Sequence, residues 1–186
     1  MNKNVKEIKT FNYSNVLFNE LLNIIEENNL QDHNQISLQS VLGDDDWTSS
    51  CGVSSELPYR ERLYCTLNKS LEGTHLQKLI EENNQFYRWR AMKIPPRSAG
   101  YSIHYDGQGD GTVTNVRCHI PVITNDQAYM IFFGKNKNNL NPTLFHFEVG
   151  KVYEVNTTDY HSAVNFGAED RWHLIGVKYE DSNYWS

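Results

Sequence analysis

Val116-Arg117-Cys118-His119-Ile120 alternates apolar and polar residues one by one. Successive side chains of a β-strand project to opposite faces, so Arg117 and His119 share one face and Val116, Cys118 and Ile120 the other. The same spacing recurs at His104 and Asp106, at His161 and Asn165 with Ala163 between them, and at Arg171 and His173. The alternate positions, among them Ile103, Val164, Trp172 and Leu174, are mostly apolar. Such polar faces could simply meet water. Residue choice argues otherwise, because solvated faces usually carry Lys, Glu, Ser and Thr. These carry His, Arg, Asp and Asn, and four of the chain's seven histidines fall on them. Turned inward, these groups need partners, since an unpaired buried polar group is costly. A divalent metal and a dianionic ligand would satisfy the set: imidazoles and carboxylate take the metal, guanidiniums take ligand carboxylates.

Working outward, strand-like segments are expected at 86–94, 101–105, 113–120, 128–133, 143–148, 152–156, 160–165 and 171–179. They are rich in Val, Ile, Tyr, Phe and Trp and are separated by Gly, Pro, Asn and Asp. Many short strands with turns between them indicate a sandwich or closed barrel. Two amphipathic helices are expected ahead of or beside them. Residues 14–29 carry Leu17, Leu21, Ile24 and Ile25 at helical spacing, with Ser14 as a capping candidate. Residues 74–84 carry Leu76, Leu79 and Ile80, with Thr74 as the cap. Between them, Asp44-Asp45-Asp46 lacks the alternating ligands and distal Glu of a calcium loop, so a solvated turn is expected there, with Trp47 covering an apolar edge. The expectation is one domain over 1–186, mostly β with flanking helices. Residues 1–85 would form a helical and irregular buttress, and 86–180 a jelly-roll-like barrel.

Composition narrows the class. With 39% hydrophobic and 22% charged residues, the 186-residue chain has the make-up of a folded globular domain, not of a disordered one. A formal net charge of −6 argues against the broad basic footprint of a nucleic-acid binder. No apolar run approaches the ~20 residues of a membrane helix, and Met1–Lys9 is polar, unlike a secretory signal. Cys51, Cys65 and Cys118 are an odd set without CxxC spacing, which indicates reduced thiols and a cytoplasmic setting.

His104-x-Asp106 followed by a distant His161 fits the two-histidine, one-carboxylate triad that holds one face of Fe(II) and leaves positions open. Arg171 follows His161 by ten residues. Two other readings stay open at this point. One is a non-catalytic jelly-roll that binds a ligand. The other is a cupin-like metalloenzyme of different chemistry, using Zn or Mn. Gly107-Gln108-Gly109-Asp110-Gly111 is either a turn or a mobile lip over a substrate.

The second half resembles a known family. The stretches are Ile94-Pro95-Pro96 leading to Tyr101-Ser102-Ile103-His104-Tyr105-Asp106, then Arg117 to Asn125, Gly150 to Asn156, His161-Ser162-Ala163-Val164-Asn165 and Arg171-Trp172-His173-Leu174. In order and spacing they are similar to the aspartyl/asparaginyl β-hydroxylase-like branch of the Fe(II)/2-oxoglutarate oxygenases, which includes bacterial free-proline hydroxylases. The resemblance spans roughly residues 90–178. It implies a double-stranded β-helix (jelly-roll, cupin-like) and a hydroxylase using Fe(II), 2-oxoglutarate and O2. His104, Asp106 and His161 would be the metal ligands, and Arg171 would grip the distal carboxylate of 2-oxoglutarate. Arg117 and His119 would lie near its other end or near the substrate. That substrate would be an amino acid, free or as an Asp, Asn or Pro residue of a peptide or protein. His173 and Asn165 are expected to support by hydrogen bonding, and Cys118 to be inert packing.

Overall fold

The computed structural model describes residues 2–53, 56–106 and 116–179. In chain order its elements are β1 (Val5–Thr10), α1 (Ser14–Glu27), β2 (Gln35–Ser37), β3 (Gln39–Ser40), β4 (Thr66–Leu67), α2 (His75–Glu81), β5 (Phe86–Ile94), β6 (Ser98–Ala99), β7 (Val116–Ile123), β8 (Ala128–Gly134), β9 (Thr143–Phe145), β10 (Lys151–Asn156), β11 (Tyr160–Asn165) and β12 (Arg171–Lys178). The larger sheet runs β1-β10-β7-β12-β5-β2 and the smaller β6-β11-β8-β9, with β3 and β4 paired separately. Every pairing is antiparallel. This is a jelly-roll, the double-stranded β-helix expected from the sequence.

The strand alternation works as a two-faced device. Cys118, Ile120 and Val122 of β7 and Trp172 and Leu174 of β12 turn outward into the main core. There they meet Leu17 and Leu21 of α1 and Leu76 and Leu79 of α2. Each fully buried Leu contributes about 1.5–3 kcal/mol relative to exposure. The helices therefore cover one face of the larger sheet. The other face carries Arg117, His119, Arg171 and His173 and looks into a cavity shared with the smaller sheet.

The helices follow the expected stripes. Thr74 caps α2, its hydroxyl accepting from the Gln77 amide at 3.1 Å. Ser14 does not cap α1. It is the first helical residue, and Tyr13 occupies the cap position without a side-chain cap bond. α1 stops at Glu27, where the Asn28 side chain donates back to the Ile24 carbonyl at 2.9 Å and Asn29 adopts a left-handed φ of 55°. Asp44, Asp45 and Asp46 accept from Ser40, Ser70 and Thr48, which makes the acidic run a set of tied turns. Trp47 is buried in the main core.

Three segments differ from expectation. Residues 1–85 are not only helix and loop, because β1 pairs with β10 and β2 with β5, extending the larger sheet. β1 is an edge strand in which Val5 alone is buried, so its alternation is faint. Residues 101–105 form no strand; an isolated bridge at His104 replaces it. The segment near 143–148 is strand only over Thr143–Phe145. The glycine-rich stretch 107–111 and residues 113–115 lie outside the described residues. Cys51, Cys65 and Cys118 are all free, and Cys118 is fully buried in the core. Among the described residues no helix is long and apolar enough to cross a membrane.

Candidate active site

The cavity between the sheets has a volume of about 650 Å³. His104, Asp106, His161, Arg117, His119 and Arg171, the site candidates read from the sequence, all line it.

β11 presents His161, and the segment after β6 is laid against it by backbone bonds. The Gly100 amide donates to the Ala163 carbonyl at 2.8 Å, and the Asp106 amide to the Thr157 carbonyl at 3.1 Å. Between them His104 bridges His161. Gly100 allows the close approach at this seam, because a Cβ there would lie 2.6 Å from Ile94 Cδ1 and 3.3 Å from the Ala163 carbonyl oxygen and would force the Ile94 side chain to shift.

The two imidazoles are held in the same way. His104 Nδ1 lies 2.7 Å from the Ser102 carbonyl oxygen, and His161 Nδ1 lies 2.9 Å from that of Asp159. A carbonyl only accepts, so Nδ1 carries the proton and Nε2 keeps a free lone pair. Backbone carbonyls fix ligand histidines in this fashion in metal sites. The rings stand 4.4 Å apart, centroid to centroid. Asp106 completes the group, with Oδ1 3.9 Å from His104 Nε2 and Oδ2 accepting from Arg117 Nε at 3.1 Å. One ligand atom from each of the three residues lies within 4.8 Å of the others.

Electrostatics favour the ligating forms. Burial would raise the Asp106 pKa, but the positive charge of Arg117 and a hydrogen bond from Thr157 counter it, and the carboxyl is held at about 2. Burial, the largest influence on His161, lowers its pKa and keeps the ring neutral. A carboxylate and neutral imidazoles are the states that bind a metal. The donor set, its exposed lone pairs and its spacing fit a divalent transition metal.

Arg171 opens β12 and is buried, with its pKa drawn down to about 10, chiefly by burial. Its Nε and Nη2 each lie 3.0 Å from a different nitrogen of the His173 ring. Burial and Arg171 push the His173 pKa well down, so the ring is neutral. A neutral imidazole accepts at one nitrogen only, so Arg171 retains donor capacity. Among the described residues no carboxylate lies within ion-pairing distance of it. That suits an anchor for an anion. Arg117, by contrast, is committed to Asp106. His119 stacks on Phe147 at 5.3 Å, and its buried Nδ1 has no partner among the described residues. Asn165 is structural: its amide donates to the Ile94 and Glu169 carbonyls at 3.0 and 2.7 Å.

Arg88 and Arg90 also line the cavity and were not singled out from the sequence. They carry the same signal as the others, a polar pair at i and i+2 in a strand. Arg88 adopts a left-handed φ of 52°, at a bulge in β5 opposite β12. It is tied to the Glu61 carboxylate and to the Ser50 and Gly52 carbonyls, the latter both at 2.9 Å. The remaining histidines stay outside the group. His75 contacts Glu20, His146 contacts the Ala128 carbonyl, and His33 is exposed.

No protein-family model and no curated protein matches the sequence. Solved structures do. A Trichoplax adhaerens prolyl hydroxylase bound to a peptide of hypoxia inducible factor superposes with a TM-score of 0.56 at 10% identity, over 96% of this chain and 84% of that one. A prolyl 4-hydroxylase from Phytophthora capsici gives 0.54 at 14% identity, over 97% of this chain and 60% of that one. A 2OG-Fe(II) oxygenase family member from Burkholderia pseudomallei gives 0.41 at 15% identity, over 50% and 43%. The chain thus spans less than two thirds of the length of the last two. At these identities the likeness to the first two establishes the fold. It lends no support to the aspartyl/asparaginyl branch that the sequence resembles.

Proposed function

We propose that the protein is an Fe(II)- and 2-oxoglutarate-dependent hydroxylase. The observation that carries this is the grouping of His104, Asp106 and His161 within 4.8 Å, in one cavity with the carboxylate-free Arg171. The fold shared with prolyl hydroxylases supports the reading, as does the order of the motifs. His104 Nε2, His161 Nε2 and the Asp106 carboxylate would hold the metal. Together a ferrous ion and 2-oxoglutarate supply the oxidising chemistry, in which O2 is consumed, 2-oxoglutarate gives succinate and carbon dioxide, and a substrate C–H becomes C–OH.

The protein's residues then bind, orient and shield. Arg171 would take the distal carboxylate of 2-oxoglutarate, because a buried guanidinium with spare donors favours a carboxylate over water. His173 accepts from Arg171 and so fixes the plane of the guanidinium. Arg117 holds Asp106 ionised and aimed at the metal group. His119 lines the cavity with Phe147 stacked on its ring, an apolar backing that disfavours water there. The substrate class we favour is an amino acid, free or as an Asp, Asn or Pro residue of a peptide or protein. Proline finds support in the prolyl hydroxylases that share the fold, Asp and Asn in the sequence resemblance.

The test is succinate release from 2-oxoglutarate after anaerobic loading with Fe(II) and exposure to oxygen. Release by the natural protein, lost in His161→Ala, supports the reading. Equal release by both would overturn it.

A further inference from the structure

The cavity holds more positive charge than the proposed cosubstrate can neutralise. Four guanidiniums line it: Arg88, Arg90, Arg117 and Arg171. Arg88 is paired with Glu61 and Arg117 with Asp106. Arg90 and Arg171 have no carboxylate at ion-pairing distance among the described residues. A 2-oxoglutarate bound through its keto-acid end to the metal has one carboxylate left, and Arg171 takes it. Arg90 remains.

Arg90 is 7% exposed, so its guanidinium is largely out of water. One terminal nitrogen donates to Gln35 Oε1 at 3.1 Å and lies 3.5 Å from the Gly52 carbonyl oxygen. Its Nε is buried with no partner among the described residues. A buried donor left unsatisfied costs about 1–3 kcal/mol, and more when charged. Its pKa falls to about 9, first through burial and then through the neighbouring charge of Arg88. Cys51 and Glu61 oppose the fall only in part, and neither forms an ion pair with Arg90.

Its position separates it from Arg171. Arg90 sits opposite Ile175 on β12, whereas Arg171 sits opposite Ile94, four residues further along β5. Four residues of strand span about 13 Å. Arg90 also pairs across to Ser37 of β2, at the end of the cavity where Gln35, Gly52 and Val53 form the rim. Val53 is exposed there. Tyr101 lines the same cavity and lies within electrostatic reach of both Arg90 and Arg171.

We infer that Arg90 is the anchor of a second anion subsite, distinct from that of Arg171, and that the substrate presents a carboxylate to it. This rests on the proposed oxygenase reading for the word substrate, but the subsite itself does not depend on a metal. The carboxylate can come from the α-carboxyl of a free amino acid or chain terminus, or from an acidic side chain within a peptide.

The experiment is ligand-observed saturation-transfer NMR on the chain without added metal, with three sets of probes. These are free L-amino acids including proline and aspartate, their carboxamides, and aspartyl peptides capped at both ends. 2-Oxoglutarate binding is followed separately, on portions of the same proteins loaded anaerobically with Fe(II). Acids should bind and matched amides should not. Arg90→Gln should weaken acid binding roughly tenfold or more, as loss of a charged hydrogen-bond partner does, and leave 2-oxoglutarate binding in place. Arg90→Lys should restore part of it, which shows that a misfolded variant is not the cause. Binding of free amino acids alone assigns the α-carboxyl as the source, and binding of the capped peptides alone assigns the side chain. If acids and amides behave alike, including no binding by either, the subsite is overturned. It is equally overturned if Arg90→Gln removes 2-oxoglutarate as fully as Arg171→Gln does. Failure of 2-oxoglutarate to bind the natural protein would instead count against the oxygenase reading, with the acid–amide contrast still deciding on Arg90.

Discussion

His104 and His161 are bound to each other through their backbones, the amide of each donating to the carbonyl of the other at 3.0 and 2.7 Å. In antiparallel pairing such a mutually bonded pair places both side chains on one face, side by side. The two imidazoles therefore meet because of a backbone bridge that their own side chains do not make. Replacing either ring should spare the bridge. His161→Ala is expected to keep the thermal unfolding midpoint close to that of the natural protein while losing Fe(II). The affinity loss should exceed the roughly 10–100-fold that removal of an outer partner costs. Differential scanning fluorimetry beside anaerobic Fe(II) titration checks both parts.

Arg117 tests the difference between support and anchor. Its Nε donates to Asp106 at 3.1 Å, so Arg117→Gln should weaken metal binding by roughly 10–100-fold. Binding of 2-oxoglutarate to the fully metal-loaded variant should change little. A selective loss of 2-oxoglutarate with unchanged iron affinity would place Arg117 at the cosubstrate instead.

Arg171 should show the reverse pattern. Arg171→Gln is expected to leave Fe(II) binding intact and to raise the 2-oxoglutarate dissociation constant by roughly tenfold or more, the worth of a charged hydrogen bond at about 1.5–3 kcal/mol. Calorimetric titration of the iron-loaded protein under nitrogen reads it directly.

The Arg88–Glu61 pair is structural in the same sense. Both side chains are almost wholly buried, and Arg88 holds a left-handed φ of 52°. Glu61→Gln leaves that guanidinium buried without its charge partner. A destabilisation of about 3–5 kcal/mol is expected, measured by urea unfolding. Because Arg88 flanks Arg90, a loss well under 1 kcal/mol would indicate that the pair is solvated and that the charge balance of the cavity is different.

Asp159 gives a pH signature. Burial raises its pKa, but hydrogen bonds from Lys135 and Asn4 outweigh it, and the carboxyl titrates below its ordinary 3.8. Its folded value being depressed, its contribution to stability is complete above the ordinary value and is lost as pH falls through the folded one. Asp159→Asn should be less stable than the natural protein at about pH 6, with the gap narrowing towards about pH 3. Urea unfolding at the two pH values tests the slope.

Much of this was legible in the sequence for one reason. Strand alternation is local, so Arg117, His119, Arg171 and His173 could be assigned to one face without knowing the partner strands. The ends of β5 and β11 could be read as well, because Asn, Pro and Gly close them. Other features depended on distant chain. The 101–105 segment has strand-like residues, yet one bridge to His161 is all the pairing it receives, and nothing near it in sequence says so. β1 shows a single buried residue, because it is an edge strand whose pairing with β10 outweighs its weak pattern. Arg88 and Arg90 followed the polar alternation of the other strands but lie among Tyr87, Trp89 and Met92, where a surface reading comes first. Their burial is set by Glu61, Gln35 and Gly52, which no spacing rule connects to them.

The most direct test of the central claim is calorimetric titration of 2-oxoglutarate into the protein under nitrogen, with and without Fe(II), for the natural chain and for His161→Ala. The expected result is tight binding that requires iron and disappears in the variant, because the same cavity must supply the metal group and the Arg171 anchor. Absence of 2-oxoglutarate binding to a chain that holds iron, or binding indifferent to His161, would contradict it.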